Sequence, residues 1–263
     1  MRDGVSLTLY DPVSRHEAIQ RLVTRKTAEI QEKKYWRFRL DRWYGGIATA
    51  DVVGCGLICK FCWVSDSVMF RPASVGTFYS AEQVAMTLTK MAEKRVVQQL
   101  RVSGGEPTIG KEHLLELLKC LNGRNLLFVL ETNGILIGHD EEYSKQLSRF
   151  RFVHVRVSLK GCNEEEFAKL TGAKPEGFHL QLRALENLVE SKVKCNAAVM
   201  ASFSPPESLN RLISGINEIS PRLAREMEIE ELILYPRVQR KIEKHNLRYL
   251  RAFTPKGFPK ELV

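Results

Sequence analysis

Three cysteines, Cys55, Cys59 and Cys62, crowd into eight residues, separated by three residues and then by two. Thiolates are soft ligands, and three so close together can hold three irons of a cubane iron–sulfur cluster. Electron-transfer clusters ordinarily use a fourth cysteine. No other cysteine stands within fifty residues here, so one iron would stay open to a non-protein ligand. Gly54 and Gly56 flank the first cysteine and relieve crowding where backbone wraps a ligand. Two alternatives compete. A closed zinc site takes four protein ligands, and the nearest downstream histidine is the distant His113. Plain buried thiols are the other, and that reading suits the scattered Cys120, Cys162 and Cys195.

A second motif, Ser103-Gly104-Gly105-Glu106-Pro107, closes the next predicted strand. Its glycines allow close backbone approach, and Glu106 can accept a hydrogen bond from a cationic amino group. Glu131-Thr132-Asn133-Gly134, Ser158-Leu159-Lys160-Gly161 and Leu234-Tyr235-Pro236-Arg237 end three further predicted strands. In parallel α/β sheets and barrels, active sites form at the carboxyl edge of the strands.

The cysteine loop, with aromatic Phe61 just before its third cysteine, resembles the signature of the radical S-adenosylmethionine superfamily. Gly104, Gly105, Glu106 and Pro107 resemble that family's GGEP motif. The resemblance covers about residues 47–236. It implies a [4Fe–4S] cluster on Cys55, Cys59 and Cys62, with S-adenosyl-L-methionine chelating the open iron through its amino and carboxylate groups. Phe61 would pack near the adenine, and the GGEP residues would meet the cofactor. The setting is most similar to the pyruvate formate-lyase activating enzyme-like branch, which carries DTNG and DLK after its third and fourth strands. Glu131, Asn133, Ser158 and Lys160 would then lie near the ribose and carboxylate, although Glu131 and Ser158 stand where that branch has aspartates. Arg237 would offer a charge to cofactor or substrate.

The implied reaction is reductive cleavage to a 5′-deoxyadenosyl radical, which abstracts hydrogen from a protein or small-molecule substrate. Reduced flavodoxin or ferredoxin is the electron donor by analogy. An RNA-modifying enzyme of the wyosine-forming kind is the alternative, favoured by GGEPT, by Cys62-Trp63 and by basic segments. Those enzymes carry a second cluster with cysteines ahead of the main loop, and none precedes Cys55. A non-catalytic iron–sulfur or RNA-binding protein is the alternative of another class.

The elements that must position these residues follow from length and periodicity. The chain has 263 residues, 44% hydrophobic and 27% charged, which suits a globular α/β protein. No apolar run approaches the roughly 18–20 residues that cross a bilayer, and the amino terminus lacks a secretory core, so a cytoplasmic protein is expected. Six βα units are predicted, with strands at 47–53, 99–103, 126–132, 152–159, 193–201 and 230–235. Such alternation argues for a partial parallel (β/α)6 barrel with right-handed crossovers. Ser80 reads as a helix N-cap. Residues 1–45 form an expected N-terminal extension, with an amphipathic helix at roughly 14–33. Residues 46–236 form the core, and 237–263 a basic appendage. The net charge is +9, with eight Lys/Arg against two Glu from Arg237 to Val263. The stretch KKYWRFRLDRW at 33–43 interleaves cationic and aromatic side chains, a pattern that can hold RNA.

Overall fold

The structure is a computed structural model and describes residues 9–257; the ends of the predicted extension and of the basic tail lie outside these. Helix α1 (Pro12–Val23) is capped by Asp11, whose carboxylate accepts from the Ser14 N–H. It leads into a hairpin of β1 (Thr24–Thr27) and the long β2 (Ile30–Asp41). The expected helix at 14–33 is therefore half helix and half hairpin. The turn is Ala28-Glu29, with φ of +47° and +68°. Hairpin turns of this hand are normally marked by Asn-Gly or Asp-Gly. Two good helix formers sit there instead, which hides the turn from periodicity.

β3 (Ile47–Val52) precedes the cysteine loop, and α2 (Asp66–Phe70) and β4 (Thr77–Tyr79) follow it. α3 (Ala81–Arg95) starts at Ser80, whose hydroxyl and the Gln83 side chain form a reciprocal capping box. β5 (Gln99–Gly104), α4 (Lys111–Leu121) and β6 (Leu127–Thr132) come next. α5 (Ile135–His139) and α6 (Glu141–Leu147) lead to β7 (Val153–Leu159). α7 (Glu164–Thr171) and α8 (Glu176–Glu190) lead to β8 (Lys194–Val199). α9 (Pro206–Ile219) and α10 (Pro221–Arg225) precede β9 (Glu228–Ile229), and α11 (Pro236–Lys244) follows it.

Among the described residues, the strands join one sheet in the order β1-β2-β3-β5-β6-β7-β8-β9, with β4 also on β2. From β3 to β9 the six strands are parallel. β2 pairs antiparallel with β1, β3 and β4, so the extension is woven into the sheet. This is the partial barrel. Its last strand is shorter than expected: residues 230–235 are not a strand, and Ile233 instead forms a single bridge to Phe253.

Strand alternation separates two faces. Ala50, Val52, Val102, Leu130, Val155, Val157 and Ala197 lie in one core with Leu88 of α3, Leu117 of α4, Leu185 of α8 and Ile216 of α9. Each fully buried Val or Leu contributes about 1.5–3 kcal/mol. The residues between them, Thr49, Asp51, Arg101, Ser103, Glu131, Arg156, Ser158 and Asn196, face the other way and are polar. Helices thus cover an apolar outer face, and the inner face is lined with charge. Cys162 and Cys195 are buried within the outer core, and Cys120 is half-buried against it.

Candidate functional site

The cysteine loop leaves β3 and is docked, backbone to backbone, on the GGEP loop at the end of β5. The Gly105 N–H donates to Val52 O at 2.9 Å and the Glu106 N–H to Gly54 O at 2.7 Å. A Cβ on Gly105 would collide with the Gly54 carbonyl, so only glycine permits this contact. α1 lies against the same loop, and a Cβ on Gly56 would strike the His16 ring. Cys55, Cys59 and Cys62 are half-buried. Burial pushes the Cys55 thiol well above its usual pKa, that of Cys59 up to about 12, and raises that of Cys62. Lys160 opposes this at Cys59, and Lys241 and Lys160 do so at Cys62.

Glu106 is buried and fully engaged. One oxygen accepts from the Thr108 N–H at 3.0 Å and from the Thr108 and Thr132 hydroxyls at 2.7 Å each. The other accepts from the Asn133 N–H at 2.8 Å. Its carboxylate thereby ties the end of β5 to the end of β6, a bracing role beyond the amino-group contact expected of it. Asn133 uses its side-chain amide to donate to His16 Nε2 at 3.1 Å and to Cys55 Sγ at 3.5 Å. His16 Nδ1 lies 2.6 Å from Pro12 O, so the proton sits on Nδ1 and Nε2 accepts. The ligand atoms of His16, Cys55 and Glu106 all lie within 4.8 Å of one another. Both imidazole nitrogens and both carboxylate oxygens are already bonded within the protein, so this trio is a brace rather than an open metal site.

Two lysines from outside the predicted core grip the loops. Lys33 of β2 is buried, and its ammonium donates to Glu106 O at 2.9 Å, Pro107 O at 2.8 Å and Ile109 O. Three carbonyls match the three N–H bonds of an ammonium. Burial pulls the Lys33 pKa down to about 7, while Glu106 and Cys55 pull it upward. Lys241 of α11 donates to Cys62 O and Val64 O at 2.9 Å each and pairs with Asp66 at 3.0 Å. α11 also brings Val238 and Ile242 over Phe61, which is buried with Leu170, Met200 and Leu232 and lies 5.4 Å from the Phe203 ring.

On the inner face, Arg101 pairs with Glu131 at 3.0 Å and Asp41 at 2.7 Å, and the Ser103 hydroxyl donates to Glu131 at 2.7 Å. Burial raises the Glu131 pKa, but Arg101 and Arg156 outweigh it and hold the carboxyl below its usual range. Arg156 pairs with Glu228 and Glu230 at 2.7 Å each, and Ser158 donates to Glu230 at 2.7 Å. The Lys160 ammonium donates to the Ser158 hydroxyl and lies 3.8 Å from Glu230.

The structure therefore brings the cysteine loop, Gly104, Gly105, Glu106, Pro107 and Asn133 together at one strand edge. Glu131, Ser158 and Lys160 belong to the charged inner face beside it. Arg237 stands exposed in the first turn of α11, because β9 ends early and the chain has already turned outward. The basic stretch at 33–43 is not a free cationic face. Lys33 and Lys34 turn inward onto carbonyls, and Arg37 and Arg39 pair with buried Asp51. His16, Lys33, Arg101, Arg156, Glu230 and Lys241 were not singled out from sequence. The alternation of Trp36, Phe38 and Leu40 with Arg37 and Arg39 was a signal that β2 is a strand.

The donor set suits an iron–sulfur cluster: three desolvated sulfurs, flanking cations to offset thiolate charge, and no fourth cysteine beside them among the described residues. Comparison with known proteins agrees. A probable GTP 3′,8-cyclase of Methanosarcina acetivorans is 28% identical over 197 residues, 73% of this chain and 54% of that protein. The pyruvate formate-lyase-activating enzyme of Clostridium pasteurianum is 27% identical over 199 residues, 74% of this chain and 78% of that protein. The chain spans about half the length of the GTP 3′,8-cyclases it matches. In fold it is similar to a spore photoproduct lyase variant with bound AdoMet and dinucleoside spore photoproduct. That likeness has a TM-score of 0.56 and 11% identity, and covers 80% of this chain and 63% of the other. Streptococcus suis SuiB bound to S-adenosylmethionine gives a TM-score of 0.52 at 20% identity, covering 64% of this chain and 38% of SuiB. The family profile described as the Radical SAM superfamily matches residues 51–212, a span that takes in the cysteine loop, the GGEP loop and the strand ends through β8. More than half of the chain lies inside that match, and the chain belongs to the Radical SAM superfamily.

Proposed function

We propose that this radical S-adenosylmethionine enzyme abstracts hydrogen from a small polar molecule held on the inner face of its sheet. The observation that carries the reading is the charged inner face itself. Its members pair mainly with one another, yet Arg37, Tyr44 and Glu228 reach solvent at its margin. A substrate with matching charges meets preset partners there, in a setting where ion pairs are stronger than in water. Name-level likeness to GTP 3′,8-cyclases, whose named substrate is a charged small molecule, supports the same direction.

When bound, the [4Fe–4S] cluster and S-adenosylmethionine supply one-electron reductive cleavage to a 5′-deoxyadenosyl radical that takes hydrogen from carbon. The chain's own residues do the rest. Cys55, Cys59 and Cys62 hold the cluster, and Lys160 and Lys241 lower the cost of thiolate charge. Gly104, Gly105, Glu106 and Pro107 set the surface that meets the cofactor, with Asn133 fixing Cys55 against it. Phe61, under α11, keeps water from that side. A flavodoxin or ferredoxin supplies the electron.

A second reading, action on a protein, has one observation behind it: the chain spans 78% of the pyruvate formate-lyase-activating enzyme relative. The test is anaerobic. The cluster is reconstituted, dithionite and S-adenosylmethionine are added, and 5′-deoxyadenosine is quantified beside a Cys59→Ala variant. Cysteine-dependent product supports the reaction, and candidate nucleotides and peptides are then compared by how far each stimulates it. Failure to bind iron at all would sink the proposal; stimulation by peptide alone would replace the small molecule with a protein.

A further inference from the structure

Among the described residues, four buried side-chain nitrogens and oxygens have no hydrogen-bond partner: Arg15 Nε, Thr89 Oγ1, Gln146 Oε1 and the indole Nε1 of Trp36. The first three sit on α1, α3 and α6. Trp36 stands beside both loops of the site. It lies where the register of β2 against β3 slips between Tyr35 and Arg37, so its ring leaves the strand's alternation. The ring packs with Ile19, Val53, Val64 and Val68, the cluster that Cys55 and Cys62 also join. On the GGEP side, Gly104 has φ of +90°, and a Cβ there would lie 2.8 Å from Asp51 Cβ and 3.2 Å from Trp36 Nε1. The absent side chain leaves room beside the indole nitrogen at the end of β5, where the GGEP loop begins.

The chemistry of that donor is specific. The Arg37 guanidinium lies 4.2 Å from the ring centroid, and a cation on the π-face draws density from the ring and polarises its N–H. A desolvated N–H without an acceptor costs about 1–3 kcal/mol, recovered when an acceptor arrives. Arg37 itself is paired with Asp51 at 2.7 Å, so the preference for an anion rests on the polarised indole N–H as a hydrogen-bond donor. In S-adenosylmethionine the amino group and the sulfonium are cationic, and the carboxylate is the anionic acceptor.

We propose that Trp36 Nε1 donates a hydrogen bond to the carboxylate of S-adenosylmethionine, a cofactor contact supplied by the N-terminal extension from outside residues 51–212. The inference rests on the reading that the cofactor lies against the cysteine and GGEP loops. Trp36 is a binding residue for the cofactor and takes no part in electron transfer.

The experiment measures binding, not turnover. Holoprotein with its cluster reconstituted anaerobically is titrated with S-adenosylmethionine and with its decarboxylated analogue, in the unmutated chain and in Trp36→Phe. A second variant carries benzothienylalanine at position 36, which keeps the bicyclic ring and lacks the N–H, so folding and cluster loading are preserved. In both variants the Kd for S-adenosylmethionine rises about tenfold, the size of one hydrogen bond to a charged group. The Kd for the decarboxylated analogue stays where it was. Equal losses for both ligands would reduce Trp36 to ring packing, and no loss for either would remove the contact; each overturns the proposal. A shifted cluster midpoint potential without cofactor, together with unchanged binding, would assign the N–H to a cluster sulfur instead. If the unmutated holoprotein binds neither ligand, the cofactor reading itself fails, an outcome distinct from all of these.

Discussion

The N-terminal extension and the C-terminal helix lie outside residues 51–212, and each sets a lysine ammonium on backbone carbonyls of one loop. Lys33 holds the GGEP loop from within a strand bonded to three neighbours, buried and, among the described residues, ion-paired with no carboxylate. Lys241 holds the cysteine loop from a surface helix, with exposed Asp66 as counterion. One grip is part of the sheet; the other is docked onto it by a small apolar patch around Phe61. The contrast teaches that similar bonds are held with different firmness, because the element behind each lysine sets how often it opens.

The largest expected effect tests the firmer grip. Lys33→Met leaves three loop carbonyls without their donor and lowers unfolding stability by about 2–4 kcal/mol, read from the urea midpoint. A change under 1 kcal/mol would show that the loop holds without β2. The same pair of proteins carries a pH signature. The Lys33 pKa is depressed to about 7, so above that pH the native chain has shed a proton that the unfolded chain keeps until near its ordinary value. The unfolded state then binds more protons, and stability rises with pH. Wild type minus Lys33→Met should grow in favour of wild type from about pH 7 toward pH 10 and stay flat below pH 7. A flat difference throughout would mean Lys33 titrates as an ordinary lysine.

Hydrogen exchange sharpens the same contrast without mutation. Amides of β2 exchange only through global unfolding, whereas those of α11 open locally and exchange about a hundredfold faster, a gap of about 2.7 kcal/mol. Equal protection would erase the distinction. Lys241→Met comes next, at about 1 kcal/mol, with iron retention on dilution as the more telling readout. Asp66→Asn is the smallest, within about 0.5 kcal/mol, because the pair is open to solvent; a larger loss would mean the counterion, not the carbonyls, holds α11 in place.

Much of the site was legible because its chemistry is local. Cysteine spacing, GGEP and the polar strand ends are each readable within a few residues, and the parallel order of strands followed from alternation with helices. The Ser80 cap was equally local. What escaped depends on partners distant in sequence. Nothing in KKYWRFRLD distinguishes a lysine that finds three carbonyls some seventy residues away from one that faces water. The Ala28-Glu29 turn escaped because tertiary pairing of β2 overrides the helical preference of both residues. Arg237 was placed by an expected strand end that the chain never forms, since β9 is two residues long.

The charged inner face has a consequence for how such a chain can diverge. Arg101 joins Glu131 and Asp41, and Arg156 joins Glu230 and Glu228, so replacing either arginine strands carboxylate charge, at roughly 3–5 kcal/mol where the pair is buried. Exchanging both members together avoids that loss. Descendants of this sequence would therefore alter this face in couplets, through rare double steps between long pauses, rather than by gradual single substitutions.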